Sequence, residues 1–172
     1  MKKIAASAIL SLLLFLLSGA SAAQSLADFG NAKLVIESGD LKGIYNYSME
    51  NGAPLSFSED ADGDHADFSF AYDFDNKKGR SHWIQCTFRI TPPGKGTYLF
   101  KDPSATKDPS KQADLSMNVD NKMVLEGNEG NVVITNYPTT EGYLIGKFSG
   151  TASDISQKIS YKVSGEFKIK KL

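Results

Sequence analysis

The sharpest candidate for chemistry is the acidic run Glu59-Asp60-Ala61-Asp62-Gly63-Asp64-His65-Ala66-Asp67. Ca²⁺ takes several carboxylate and carbonyl oxygens from a tightly turning backbone. Asp60, Asp62 and Asp64 alternate, Gly63 permits a turn, and Asp67 is placed to close the shell, so these four are the candidate metal ligands. The pattern departs from an EF-hand loop: its glycine precedes the third acidic position instead of following it, no distal glutamate follows, and no helices flank it. The competing reading is a solvated acidic loop.

Trp83, the only tryptophan, marks the second candidate. It shares its parity with Gln85, Thr87 and Arg89, opposite to Ile84, Cys86 and Phe88. An outward indole flanked by polar groups stacks on a sugar ring or a peptide while its neighbours donate hydrogen bonds. Trp83, Gln85 and Arg89 are therefore the candidate contacts for a glycan, a peptide or a protein partner. A register shift of one residue would instead turn Trp83 inward.

Catalysis has few groups to draw on. His65 and His82 are the only histidines. Either one with nearby aspartates would serve a secreted hydrolase, which is the rival from another functional class. No Gly-x-Ser-x-Gly elbow is present, nor the His-Glu-x-x-His spacing of a zinc protease. The expectation is a non-catalytic domain.

The elements that must position these residues are strands. Period-2 alternation dominates, and no helical periodicity follows the N-terminal segment. Phe68, Phe70, Tyr72 and Phe74 share one face of Asp67–Asp75, while Ser69, Ala71 and Asp73 share the other. Ser81–Thr91 repeats the pattern after the polar turn Asn76-Lys77-Lys78-Gly79-Arg80, which predicts a hairpin. Lys33–Glu37, Leu41–Met49, Leu115–Val119, Met123–Leu125, Asn131–Tyr137, Gly142–Gly150 and Ser160–Lys170 complete the strands. Asp120-Asn121 suits a tight turn with positive φ. Gly52–Ala66 and Lys101–Gln112 read as long connections, the second containing the local repeat Lys-Asp-Pro-Ser.

Lys2 and Lys3, the apolar run Ile4–Leu17 and the small residues Ser18-Gly19-Ala20-Ser21-Ala22 compose a secretory leader cleaved after Ala22. The apolar run falls short of the roughly 20 residues that span a bilayer. Leu17-Ser18-Gly19-Ala20 matches a lipoprotein box with alanine in place of the lipidated cysteine. The expectation is a leader over 1–22, one exported domain over 23–172, and a periplasmic or extracellular location. With Lys2 and Lys3 removed, 17 basic residues face 20 acidic ones, which gives nucleic acid no electrostatic footing. Cys86, the only cysteine, can form no internal disulfide and reads as a small buried hydrophobe.

Gly142-Tyr143-Leu144-Ile145-Gly146-Lys147-Phe148-Ser149-Gly150-Thr151, followed by Val163-Ser164-Gly165-Glu166-Phe167-Lys168-Ile169, resembles the closing hairpin of small exported proteins of the Bacteroidota type. In those, a Gly-x-Phe-Ser-Gly-Thr segment pairs with a final Gly-x-Phe strand, and many members are lipoproteins. The resemblance implies a β-sandwich and an exported location, and no site. The strand pattern itself predicts an all-β fold, an antiparallel sandwich of about nine or ten strands. The alternative is a closed lipocalin-like barrel whose aromatic stripe lines a cavity for a small apolar ligand.

Overall fold

The computed structural model describes residues 29–48, 55–76, 80–100, 110–154 and 159–171. The leader lies outside these residues, as do 77–79 of the turn expected between the two aromatic strands and 101–109 of the proline-containing connection. Ten strands account for most of what is described: β1 (Gly30–Ile36), β2 (Gly43–Ser48), β3 (Leu55–Glu59), β4 (Ala66–Asn76), β5 (Arg80–Thr91), β6 (Gly96–Phe100), β7 (Gln112–Val119), β8 (Met123–Asn136), β9 (Gly142–Asp154) and β10 (Ile159–Lys171).

The strands belong to one sheet in the order β2-β1-β10-β9-β8-β6-β7-β5-β4-β3, nearly closed into a barrel. The all-β expectation holds, and of its two architectures the alternative barrel, not the antiparallel sandwich, describes the molecule, because all ten strands join one sheet rather than two facing ones. Every pairing is antiparallel except β6 with β7, where Leu99 lies opposite Gln112. β6 is a wedge: the first part of β8 pairs with β7, and beyond a bulge between Gly127 and Glu129 its second part pairs with β6. A bulge bends its strand and raises the twist, so β8 can serve two neighbours in succession. β3 falls within Gly52–Ala66, which reads as a connection, and β6 carries no strand signal of its own; both have only five residues.

The expected alternation sets the inside and the outside. Phe68, Phe70, Ile84, Cys86, Phe88 and Ile90 on β4 and β5 are fully buried. They meet Phe148 and Phe167 from β9 and β10: Phe68 and Phe88 stack at 4.9 Å, Phe68 lies 4.6 Å from Phe167, and Phe88 lies 4.9 Å from Phe148. Rings from opposing walls therefore fill the centre of the barrel. Burial pushes the Cys86 thiol far above its ordinary range, consistent with an inert core residue.

Glycine makes the sheet's tight roll possible at two cross-strand pairs. Gly165 lies opposite Phe148, and Gly146 opposite Phe167. A Cβ on Gly165 would stand 2.5 Å from the Phe148 ring, and one on Gly146 2.6 Å from the Phe167 ring. Each ring lies over a neighbouring strand that has no side chain there, the arrangement known to rescue glycine in curved sheets. Both pairs lie between β9 and β10, which are antiparallel neighbours along their whole length.

The sheet's free ends meet through side chains. Tyr47 of β2 packs on Phe70 of β4 at 4.8 Å. Phe57 of β3 meets Tyr137 edge-on at 5.7 Å. Glu59 accepts hydrogen bonds from the Tyr137 hydroxyl and from Lys171 at the end of β10. These contacts hold the Glu59 carboxyl below the usual range, with the Lys171 bond the larger cause. Among the described residues no helix is long and apolar enough to cross a membrane.

Candidate functional site

The outer face of β5 holds the sequence-derived contacts in the expected orientation. Trp83 is half-buried and faces away from Phe88. Its backbone is locked to the β7–β8 turn: the Trp83 N–H donates to Asp120 Oδ1 at 2.7 Å, and the Asp120 N–H donates to the Trp83 carbonyl at 2.8 Å. Asp120 and Asn121 both sit at φ 55°, as their residue types predicted.

Register then decides what surrounds Gln85 and Arg89. Arg89 lies opposite Asp67 on β4 and Asp114 on β7. Its guanidinium donates to both Asp67 oxygens, at 2.9 and 3.0 Å. This forked pairing raises the already high pKa of Arg89. One step along, Ser56, Ser69, Thr87 and Ser116 stand opposite one another across β3, β4, β5 and β7. Ser56 and Ser69 join their hydroxyls at 2.8 Å. Gln85, Thr87 and Arg89, together with Ser56, Ser69 and Asp114, line a shallow groove of about 410 Å³. Trp83 continues the same face of the strand beyond Gln85.

The four carboxylates expected around Ca²⁺ do not converge. Asp60–His65 is a compact turn between β3 and β4, closed by backbone bonds between Asp60 and His65 and between Gly63 and Asp60. The His65 N–H donates to Asp60 Oδ1 at 3.1 Å, and that bond is the main reason the Asp60 carboxyl titrates below its ordinary range. Asp62 and Asp64 point into solvent on the turn. Asp67 is held by Arg89. Among the described residues no three His, Cys, Asp or Glu side chains gather as a metal would need.

His65 sits between two acids, with Nδ1 3.4 Å from Asp60 and Nε2 3.7 Å from Asp67. His82 is elsewhere. Its backbone lies opposite Phe74, whereas Ala66, next to His65, lies opposite Ile90. The strand from His82 to Ile90 spans about 27 Å, so the two histidines cannot share a reaction centre.

Sequence reasoning missed the hydroxyl row and Asp114. Ser69 and Thr87 were visible as outward positions, but nothing local says that Ser56 and Ser116 extend their row. The alternation Leu55-Ser56-Phe57-Ser58 was the available signal for β3. Comparison with protein-family models, with curated proteins and with solved structures gave no match to this chain.

Proposed function

We propose that this chain is a non-catalytic, exported binding domain that holds a glycan against the outer face of β4, β5 and β7. The observation behind the reading is that Gln85 and Arg89 line one groove with three hydroxyl-bearing residues in register, Ser56, Ser69 and Thr87, and Trp83 extends that face. Hydroxyls, an amide and a charged pair offer both donors and acceptors to a polyhydroxylated ligand, and an indole edge or face supplies apolar area for a sugar ring. Arg89 is pre-oriented by Asp67, so little side-chain freedom is lost when a ligand arrives. A periplasmic or extracellular location follows from the leader-like Met1–Ala22. The packed aromatic centre favours this outer site over an apolar ligand inside the barrel.

The experiment is a titration of Trp83 fluorescence with neutral oligosaccharides. The reading expects a saturable change, and Gln85→Ala with Arg89→Ala together should weaken it by about tenfold, as loss of two or three hydrogen bonds would. Absence of any change at millimolar sugar, with an unaltered fold, would sink it.

A further inference from the structure

We infer that the opposite wall, formed by β1, β10 and β9, is a second binding site, selective for a carboxylated oligosaccharide. The inference does not rest on the Trp83 face. On this wall Lys33, Glu166 and Lys147 stand opposite one another across three strands. Next to that row Ser164, Ser149 and Asn131 form a polar one, ended on β1 by the apolar Val35. The Arg89 face has the same plan with the charges reversed: Asp67, Arg89 and Asp114 beside Ser69, Thr87 and Ser116.

Two adjoining grooves of about 380 and 470 Å³ follow the polar row, and both are lined by Asn131, Ser149 and Ser164. They lie where Phe148 covers Gly165 and the sheet is held close to the core. Lys33 and Lys147 flank the first groove with Glu166 between them, whereas Lys162 at the second stands among Glu37 and Glu129, so the first groove is the one that takes the carboxylate. The backbones of Lys33 and Lys147, on alternate strands, are about 10 Å apart across β10. One carboxylate seated between them is within reach of both flexible side chains. Among the described residues, neither Lys33 nor Lys147 forms an ion pair, and Glu166 between them forms none. The two ammonium groups are therefore available to a ligand.

The wider wall has the same sign. Lys162, Lys168 and Lys170 also point outward on β10, against Glu166 alone on that strand. The chemistry excludes two other anionic partners. A lipid surface needs a contiguous apolar patch to insert, and the exposed Ile44 and Ile145 stand singly on β2 and β9, separated by β1 and β10. Single-stranded nucleic acid needs open aromatic faces for its bases, and Tyr143 on this wall is covered by Lys168 at 4.2 Å. A hydroxyl-rich chain with periodic carboxylates satisfies both the polar floor and the lysines.

Glu166 makes the test sharp, because it opposes the anion it borders. The full exported chain carrying Gln85→Ala and Arg89→Ala, which takes away the neutral-sugar contacts of the β5 face, is titrated calorimetrically with an oligogalacturonate and with a neutral cello-oligosaccharide of equal length. The expected result is binding of the oligogalacturonate that weakens as salt rises. The double variant Lys33→Ala/Lys147→Ala should lose about tenfold in affinity, and Glu166→Gln should gain about threefold, the scale of exposed charge pairs. Lys122→Ala, on the distant β7–β8 turn, should bind as the parent does. Any of four results overturns the inference: no oligogalacturonate binding, equal binding of the neutral sugar, weaker binding by Glu166→Gln, or a Lys122→Ala loss as large as that of the lysine pair. Capture by anionic vesicles through the same lysines, without oligosaccharide binding, assigns the wall to lipid and also overturns it.

Discussion

Phe88→Ala tests whether the barrel is filled or hollow. The Phe88 side chain is fully buried on β5. Its ring lies nearly parallel to Phe68 at 4.9 Å and stands 4.9 and 6.2 Å from Phe148 and Phe167 on the opposing wall. Removing it takes away contacts on both sides at once and leaves a void that neither wall can close without moving strands. Such truncations cost about 3–5 kcal/mol. For a domain of this size each kcal/mol lowers Tm by about 2–4 °C, so a fall of about 6–20 °C is expected. Chemical denaturation should show a lower midpoint with an unchanged slope, because the surface exposed on unfolding hardly changes. The new cavity is apolar, so a small aromatic such as benzene should bind there and restore part of the loss. A loss below about 1 kcal/mol would refute the reasoning. It would mean that the rings line open space, as in a barrel built to hold an apolar ligand.

Gly165→Ala should destabilise by about 3 kcal/mol, the upper end of overpacking, because its Cβ meets the Lys33 backbone carbonyl on β1 as well as the Phe148 ring; Ser164→Ala, one residue away and facing outward, should cost about 0.5 kcal/mol or less in the same urea titration. The Tyr161 hydroxyl donates to Asp40 at 2.7 Å, and burial first, then that bond, push its pKa up to about 12. A raised pKa adds stability that is complete below the unfolded value near 10 and is lost as pH climbs toward 12. Tyr161→Phe should therefore flatten the fall in Tm over that alkaline interval, and an unchanged slope would argue against it. Because Arg89 holds Asp67 and the β3–β4 turn occupies Asp60, millimolar Ca²⁺ should leave Tm unchanged; a rise abolished by Asp62→Ala would restore the metal site.

The parts of this fold legible in the chain were those governed by one strand at a time. Phe68 and Phe70 had to turn one way and Ser69 the other, because successive side chains on extended backbone point to opposite faces. Asp120-Asn121 specified its turn because few residues accept positive φ. β3 was not legible: its five residues become a strand through pairing with β4 and through Phe57 and Glu59 gripping Tyr137 and Lys171. β6 likewise exists between two strands distant in sequence, one of them parallel.

The candidate sites divide along the same line. Trp83, Gln85 and Arg89 were placed outward by parity alone, and they are outward. What each faces was a matter of register between strands. Asp67 reads as a metal ligand in its own stretch and becomes the partner of Arg89 because β4 and β5 align those two positions. The amino-acid order by itself determined which side of each strand is apolar, since that is a property of neighbouring bonds. Only the tertiary structure decided that the strands form one rolled sheet, that its rings meet at the centre, and that opposite charge rows lie on its two walls. Those facts depend on which distant segments pair, and pairing is chosen by the packing of the whole core.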